Sequence, residues 1–202
     1  MTPEESNEFI LTAPLQAPVA IASDSSFYLL SGTQKLNKYS LFSWWKHKIT
    51  VPYWSSSTGG VHSASPVIDE KRKRLYLASM DNQIYGIGMA AGIQKWSSNL
   101  GGSGIHPGVI ISEKYLAQPN KLGDIIYFDL DASISFKEMS PLGKTIFDDG
   151  LLGALSLTRD NELVAAFASV TIRKWSPNLS SGSIDQIKWE TDLATTFQTT
   201  PV

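Results

Sequence analysis

The chain has 202 residues, of which 42% are hydrophobic and 18% are charged, and its formal net charge is -2. This composition is too apolar for a disordered chain, and the mixed charges create no field of one sign that would attract nucleic acid or an anionic membrane. The absence of cysteine excludes disulfides, thiolate metal sites and a cysteine nucleophile.

The N-terminal stretch MTPEESNEFILTAP is acidic where a secretory signal would be basic, and its apolar run is short. No apolar stretch approaches the ~18 residues that a membrane-spanning helix needs. Two locations stay open from the sequence: the cytoplasm, or a periplasmic or other extracytoplasmic space for a chain whose signal has been removed.

An internal repeat organises the chain. Its recurring element is a short apolar strand that begins at a proline, and five copies or partial copies of this element occur along the chain. Proline or its counterpart falls at positions 18, 66, 107, 154 and 201. A spacing in the forties is typical of the blades of a β-propeller. Proline is tolerated at the first residue of a strand because no ladder donor is lost there.

Residues 1–8 are predicted to form a solvated leader, and Phe9–Thr12 a lone strand. The propeller is predicted over residues 9–202, as an all-β fold of four-stranded antiparallel blades. In each blade, short apolar runs are separated by Asp, Asn and Gly turn signals. The predicted blades are residues 17–54, 63–97, 106–140 and 153–190, with the start of a fifth at 199–202.

The predicted elements in chain order are almost all strands, and no window shows the periodicity of an amphipathic helix. Blade one ends in the aromatic run Phe42–Trp45, and the following SSSTGG stretch, residues 55–60, is predicted to be a flexible linker. The basic run KRKR at 71–74 is predicted to lie in a solvated hairpin turn. The outer strand of blade three, around 133–136, is weak.

Blade two carries a motif that resembles a known repeat. Tyr85, Ala90, Gly92 and Trp96 match the Tyr-Ala-Leu-Asp-Ala-x-Thr-Gly-Lys-x-x-Trp repeat of the PQQ-like (quinoprotein alcohol dehydrogenase-like) β-propellers. Between these matches, several positions depart from the family's preferred residues. The resemblance covers roughly residues 10–202, but it is specific only in blade two. Blade three lacks the closing Trp, and blade four supplies Trp189 without the Thr-Gly turn.

The resemblance implies structural roles for three residues. Gly92 would permit the tight turn into the outer strand. Trp96 would pack its ring between neighbouring blades, and Trp189 would do the same in blade four. Because four blades and a fragment make an awkward ring, we expect the chain to be part of a propeller of seven or eight blades.

The same resemblance bears on cofactors. Members that are quinone-dependent dehydrogenases carry a Cys-Cys pair beside the cofactor, together with a calcium site and a catalytic Asp, whereas this chain has no cysteine. Other members have the propeller alone and serve as scaffold or assembly proteins. We therefore expect no cofactor, and PQQ and calcium enter only if the chain is a fragment of a dehydrogenase.

Trp44, Trp45, Tyr53 and Trp54 form the densest aromatic cluster, interleaved with two lysines and a histidine. They are the candidate residues for binding a partner or ligand. The alternative is that alternate residues of a strand belong to the core between blades. Adjacent residues of a strand point to opposite faces, so one of the two neighbouring tryptophans should lie outward.

Other candidates for chemistry are weaker. His62 and His106 precede the proline-initiated strands of consecutive blades and could converge on a metal, but their offsets to the following proline differ, which favours two polar residues that are satisfied separately in their loops. Asp148, Asp149 and Asp160 lack calcium-loop spacing, and turn chemistry explains each of them. We predict neither catalytic residues nor a metal site.

Three functions are open. The first is a non-catalytic PQQ-like propeller that acts as a scaffold and binds another protein or a small ligand on one face, with no nucleic-acid partner and no membrane span. The second is a fragment of a quinone- or metal-dependent oxidoreductase whose catalytic residues lie elsewhere. The third is a carbohydrate-binding propeller that uses the aromatic cluster, which an outward tryptophan beside a groove would favour.

Overall fold

The computed structural model describes residues 14–31, 34–47, 50–132, 138–177, 179 and 186–192. The predicted leader, the lone strand at Phe9–Thr12 and the start of a fifth blade at 199–202 lie outside the described residues. So does the weak outer strand predicted around 133–136. Among the described residues no helix has the length and apolar character needed to cross a membrane.

The described elements form four antiparallel sheets, each of four strands in consecutive order. We call them blades one to four. Blade one comprises β1 (Ala20–Ile21), β2 (Ser26–Ser31), β3 (Lys35–Ser40), the helix α1 (Leu41–His47) and β4 (Trp54–Ser57). Blade two comprises β5 (Val67–Asp69), β6 (Arg74–Ala78), β7 (Gln83–Gly88) and β8 (Gln94–Asn99). Blade three comprises β9 (Val109–Ile111), β10 (Tyr115–Pro119), β11 (Ile125–Asp129) and β12 (Gly143–Thr145). Blade four comprises β13 (Ser156–Leu157), β14 (Leu163–Phe167), β15 (Thr171–Ser176) and β16 (Gln186–Asp192).

The hairpin turns follow from their polar residues. Asp24 accepts a hydrogen bond from the backbone N–H of Ser26 at 2.8 Å, and Asp81 accepts one from that of Gln83 at 3.0 Å. Asn82 adopts φ of 66°, a left-handed conformation that asparagine tolerates better than most residues. At these turns the backbone N–H groups donate to the Asp side chains instead of to a neighbouring strand. Each hairpin is therefore stabilised by residues of its own turn.

The core lies between successive blades. One cluster of buried apolar residues joins blade one to blade two, a second joins blade two to blade three, and a third joins blade three to blade four. The inner strand of blade three, β9, also contacts the inner strands β5 and β13 of its two neighbours. The four sheets are therefore stacked face to face around their inner strands.

Two predictions for blade one are wrong. The aromatic run Phe42–Trp45 lies in the helix α1, and the outer strand of the blade is β4, which uses three residues predicted to be a flexible linker. The hydroxyl of Ser40 accepts a hydrogen bond from the backbone N–H of Ser43 at 3.2 Å and so caps the helix. Because α1 occupies the connection between β3 and β4, the outer strand forms later in the chain.

The basic turn between β5 and β6 also differs from its prediction. Residues 70–73 do form a hairpin turn, but Arg72 is not solvated, since only 8% of its side chain is exposed. It pairs with Asp69 at 3.0 Å and with Asp131 of blade three. It also donates to the backbone carbonyl of Glu113 at 2.9 Å. Arg72 thus ties the turn of blade two to two connections of blade three.

Candidate binding surfaces of the propeller

Trp96 packs between blades two and three. Its side chain is fully buried, with its ring centroid 5.6 Å from that of Tyr76 in its own blade and 6.0 Å from that of Phe128 in the next. The indole lies directly over Gly86, where a Cβ atom would clash with the ring. The glycine in the third strand therefore makes room for the tryptophan of the fourth.

Gly92 receives the tryptophan of the preceding blade. It adopts φ of +68°, and a Cβ atom there would lie less than 3.0 Å from the ring of Trp54. Trp54 also donates from its indole N–H to the backbone carbonyl of Met89 at 3.0 Å. Trp54, which the sequence suggests as a partner residue, is half-buried and joins blade one to the turn between β7 and β8.

The three tryptophans of the outer strands lie in equivalent positions. Each one ends a row of directly paired residues that crosses all four strands of its blade. These rows are Ala20, Tyr28, Lys38 and Trp54 in blade one, Val67, Tyr76, Gly86 and Trp96 in blade two, and Ser156, Val164, Lys174 and Trp189 in blade four. Trp189 differs from Trp96 in its surroundings, because 42% of it is exposed.

The helix α1 presents two faces. Leu41 and Trp44, three residues apart, line an apolar groove with a volume of about 270 Å³ on the face of blade one that points away from blade two. The other residues of this groove, none of which the sequence suggested, are Leu15, Val19, Ile21, Phe27 and Leu29. In the sequence, the i, i+3 spacing of Leu41 and Trp44 is the only signal that could have indicated this groove.

Phe42 and Trp45 share the second face of α1, and they are 60% and 62% exposed. Val51 and Tyr53 after the helix are 73% and 66% exposed, and the Tyr53 hydroxyl lies 2.8 Å from that of Ser43. We call Phe42, Trp45, Val51 and Tyr53 the α1 surface. The ammonium group of Lys46 lies 5.3 Å from the centre of the Phe42 ring, so a positive charge accompanies these apolar groups.

Tyr53 and Trp54 also border a polar cleft between blades one and two, with a volume of about 440 Å³. Lys38 in this cleft donates to the carbonyl of Met89 at 3.3 Å and lies 3.9 Å from the carboxylate of Asp24. The hydrogen bond from the backbone of Ser26 lowers the pKa of Asp24. The charged groups of the cleft are therefore engaged with the protein itself.

The two histidines do not meet. His62 is buried, donates from Nδ1 to the carbonyl of Ala78 at 3.0 Å and contacts the Thr58 hydroxyl through Nε2. His106 contacts the carbonyl of Leu151 through Nε2 at 3.3 Å. Burial lowers the pKa of both imidazoles, which favours their neutral forms.

The acidic candidates lie in turns. Asp149 accepts hydrogen bonds from the backbone N–H of Ser169 at 3.2 Å and from its hydroxyl. Within the described part of the chain, no three His, Cys, Asp or Glu side chains are grouped so that they could hold a metal ion. Outside these candidates, Asp131 also has a structural role, and its hydrogen bond with Arg72 lowers its pKa.

No family model and no curated protein matches the sequence. Many solved structures match the fold. One of them is the crystal structure of BamB from Moraxella catarrhalis, with a TM-score of 0.66 and 12% sequence identity. The match covers 94% of this chain and 56% of that chain. Together with the four consecutive antiparallel sheets, this likeness confirms the predicted all-β propeller fold.

Proposed function

We propose that this chain is a non-catalytic propeller of the PQQ-like type and that it binds another protein through the α1 surface. The observation that carries the proposal is the exposure of Phe42, Trp45 and Tyr53, each at least 60%, in a short insertion between two strands of one blade. Exposed aromatic groups that lie together are typical of protein interfaces, where they fill pockets of the partner.

The chemistry of the surface describes the partner. Phe42 and Trp45 offer two large apolar groups on one side of a helix, and Lys46 and His47 end that helix with basic side chains. A complementary protein surface would present an apolar pocket bordered by carboxylates. Because the charged pairs would lie at the rim, they would affect the association rate and the salt dependence more than the final affinity.

Carbohydrate binding has less support from the same residues. Trp45 does point outward, as that hypothesis requires, but apart from Trp44 the groove is lined by Leu, Val, Ile and Phe side chains, which offer a sugar no hydrogen bonds. In the polar cleft, Lys38 and the indole N–H of Trp54 already donate to the carbonyl of Met89. An oxidoreductase would place its catalytic residues outside this chain, and no described side chain adds support to it.

Site-specific photo-crosslinking tests the proposal. p-Benzoylphenylalanine is introduced at position 42 or 45, the protein is produced in the organism that encodes it, and adducts are identified by mass spectrometry. Matched controls carry the same group at Ile93 or Leu122, which are 58% and 61% exposed but lie in other turns. We expect one discrete protein adduct from positions 42 and 45. No adduct, or the same adducts from the controls, would contradict the proposal.

A further inference from the structure

The interfaces between blades follow a fixed rule. Each blade has two faces. The docking face carries the row of paired residues that ends, in blades one, two and four, in the outer-strand tryptophan. The receiving face is on the opposite side of the sheet. The docking face of blade two places Trp96 against Phe128 on the receiving face of blade three. The docking face of blade one places Trp54 against Gly92 of blade two. A docking face therefore packs on a receiving face at each of these junctions.

The docking face of blade four has the same arrangement of a tryptophan in the outer strand. Trp189 pairs with Lys174 in the third strand, as Trp96 pairs with Gly86. Both blades also shift register immediately after this pair, at Lys174/Trp175 and at Gly86/Ile87. Blade four thus has the local geometry of a docking blade, yet 42% of its tryptophan is exposed, whereas Trp96 is fully buried.

The receiving face of blade one resembles the receiving face of blade two. Phe27, Leu29 and Tyr39 form a small buried cluster on this face, with Leu41 packed against it. In the strand register, Phe27 corresponds to Leu75 and Leu29 to Leu77 of blade two, two residues that are buried against blade one.

Part of this receiving face is open. Ile21 is 61% exposed, and the groove of about 270 Å³ lies beside it, bordered by Trp44. Leu41 occupies the position that corresponds to Met89, which lies in the core between blades one and two. The groove therefore lies where blade one would receive a further blade, and its apolar lining suits an indole ring.

We propose that a second copy of this chain covers these two faces, with Trp189 of each copy seated in the groove of the other. A docking face and a receiving face form a head-to-tail interface, and such interfaces close into a ring when the rotation between units is right. Two copies would supply eight four-stranded blades, which is within the range of known propellers. The interface would continue the packing already present between the interior blades.

The likeness to a larger propeller agrees with this arrangement. The chain matches 56% of the BamB chain, so that structure contains nearly as much again beyond the matching part. In the proposed assembly the second copy would occupy that remaining part of the fold. The proposal does not depend on the partner of the α1 surface, because it uses the other face of the helix.

Sedimentation equilibrium of the 202-residue chain at micromolar concentrations tests the proposal. The expected species has twice the 22.1 kDa mass of one chain. Trp189→Glu and Ile21→Glu should each raise the dissociation constant at least ~30-fold, because tryptophan and its pocket are typical interface hot spots. Leu122→Glu, at an equally exposed residue away from both faces, should leave it unchanged. Far-UV circular dichroism checks that each variant is folded.

Mixing the two variants identifies the head-to-tail geometry. The Trp189→Glu chain keeps an intact groove, and the Ile21→Glu chain keeps an intact tryptophan, so an equimolar mixture should form a one-to-one dimer through one intact interface. A wild-type chain that stays monomeric would overturn the proposal and would leave these faces to further blades of a longer chain. A Trp189→Glu chain that dimerises as strongly as the wild type would also overturn it.

Discussion

Gly86→Ala tests whether the tryptophan of an outer strand holds two blades together. A Cβ atom at Gly86 would lie well under 3.0 Å from three atoms of the Trp96 indole, a distance that folded proteins essentially never show. The ring cannot move away easily, since it is fully buried with Tyr76 and Phe128 on either side. Inserting a methyl group into such a site costs about 1–3 kcal/mol, and we expect the upper part of that range.

The matched control is Gly88→Ala in the same strand. Both glycines are buried, and neither has a positive φ, so alanine is compatible with the backbone at both positions. At Gly88, however, the nearest atom to a new Cβ is the Cε of Lys95 at 3.2 Å, the far end of a flexible side chain. The control should therefore change the free energy of unfolding by less than about 0.5 kcal/mol.

Thermal unfolding followed by circular dichroism measures the difference. For a chain of this length, each 1 kcal/mol shifts Tm by about 2–4 °C, so a loss of about 2–3 kcal/mol in Gly86→Ala should lower Tm by roughly 4–12 °C. Trp96→Phe should offset part of this loss in the double variant, because the smaller ring leaves room for the methyl group. That substitution removes no hydrogen bond, since the indole N–H has no partner among the described groups. Equal Tm values for the two alanine variants would refute the packing of Trp96 on Gly86.

Gly92→Ala should destabilise more than Gly101→Ala by about 1–3 kcal/mol in urea unfolding, because both have positive φ but only Gly92 lies under a tryptophan ring. Arg72→Met should cost about 3 kcal/mol, since the buried carboxylate of Asp69 loses its ion-pair partner, whereas Lys71→Met, at a side chain 58% exposed, should cost almost nothing. Burial lowers the pKa of His62, so the unfolded chain, with an imidazole pKa of about 6.5, binds more protons. Stability should therefore fall as the pH decreases from about 7 to about 5.5, and His62→Gln should reduce that slope. Equal losses of stability in Gly92→Ala and Gly101→Ala would contradict the packing of Trp54 on Gly92, and equal losses in Arg72→Met and Lys71→Met would contradict the buried ion pair. An unchanged dependence of stability on pH in His62→Gln would contradict the role given to His62.

The blade pattern could be predicted from the sequence because it rests on local signals. Short apolar runs and Asp or Asn turns are each contained within a few residues, and the order of strands in a meander follows from them. The spacing from Gly92 to Trp96 also fits the geometry, with a left-handed glycine before the outer strand and a tryptophan under the next blade. These features need no knowledge of distant contacts.

The errors in blade one have physical causes. α1 has seven residues, which is too short for a helical periodicity to stand out, and its aromatic residues resemble a strand. β4 contains three serines, of which Ser56 is buried, so its position depends on pairing with β3 rather than on apolar alternation. The groove on blade one could not be foreseen, because it joins residues of β1, β2, α1 and the segment before β1.

The proposed function depends most on Trp45. Once the protein that crosslinks at position 45 has been purified, isothermal titration calorimetry can compare its affinity for the wild-type chain, Trp45→Ala and the control Ile93→Ala. Since Trp45 is 62% exposed, its replacement should leave Tm nearly unchanged while it weakens binding at least ~10-fold. Equal affinity of the partner for all three proteins would contradict the assignment of the α1 surface as the binding site.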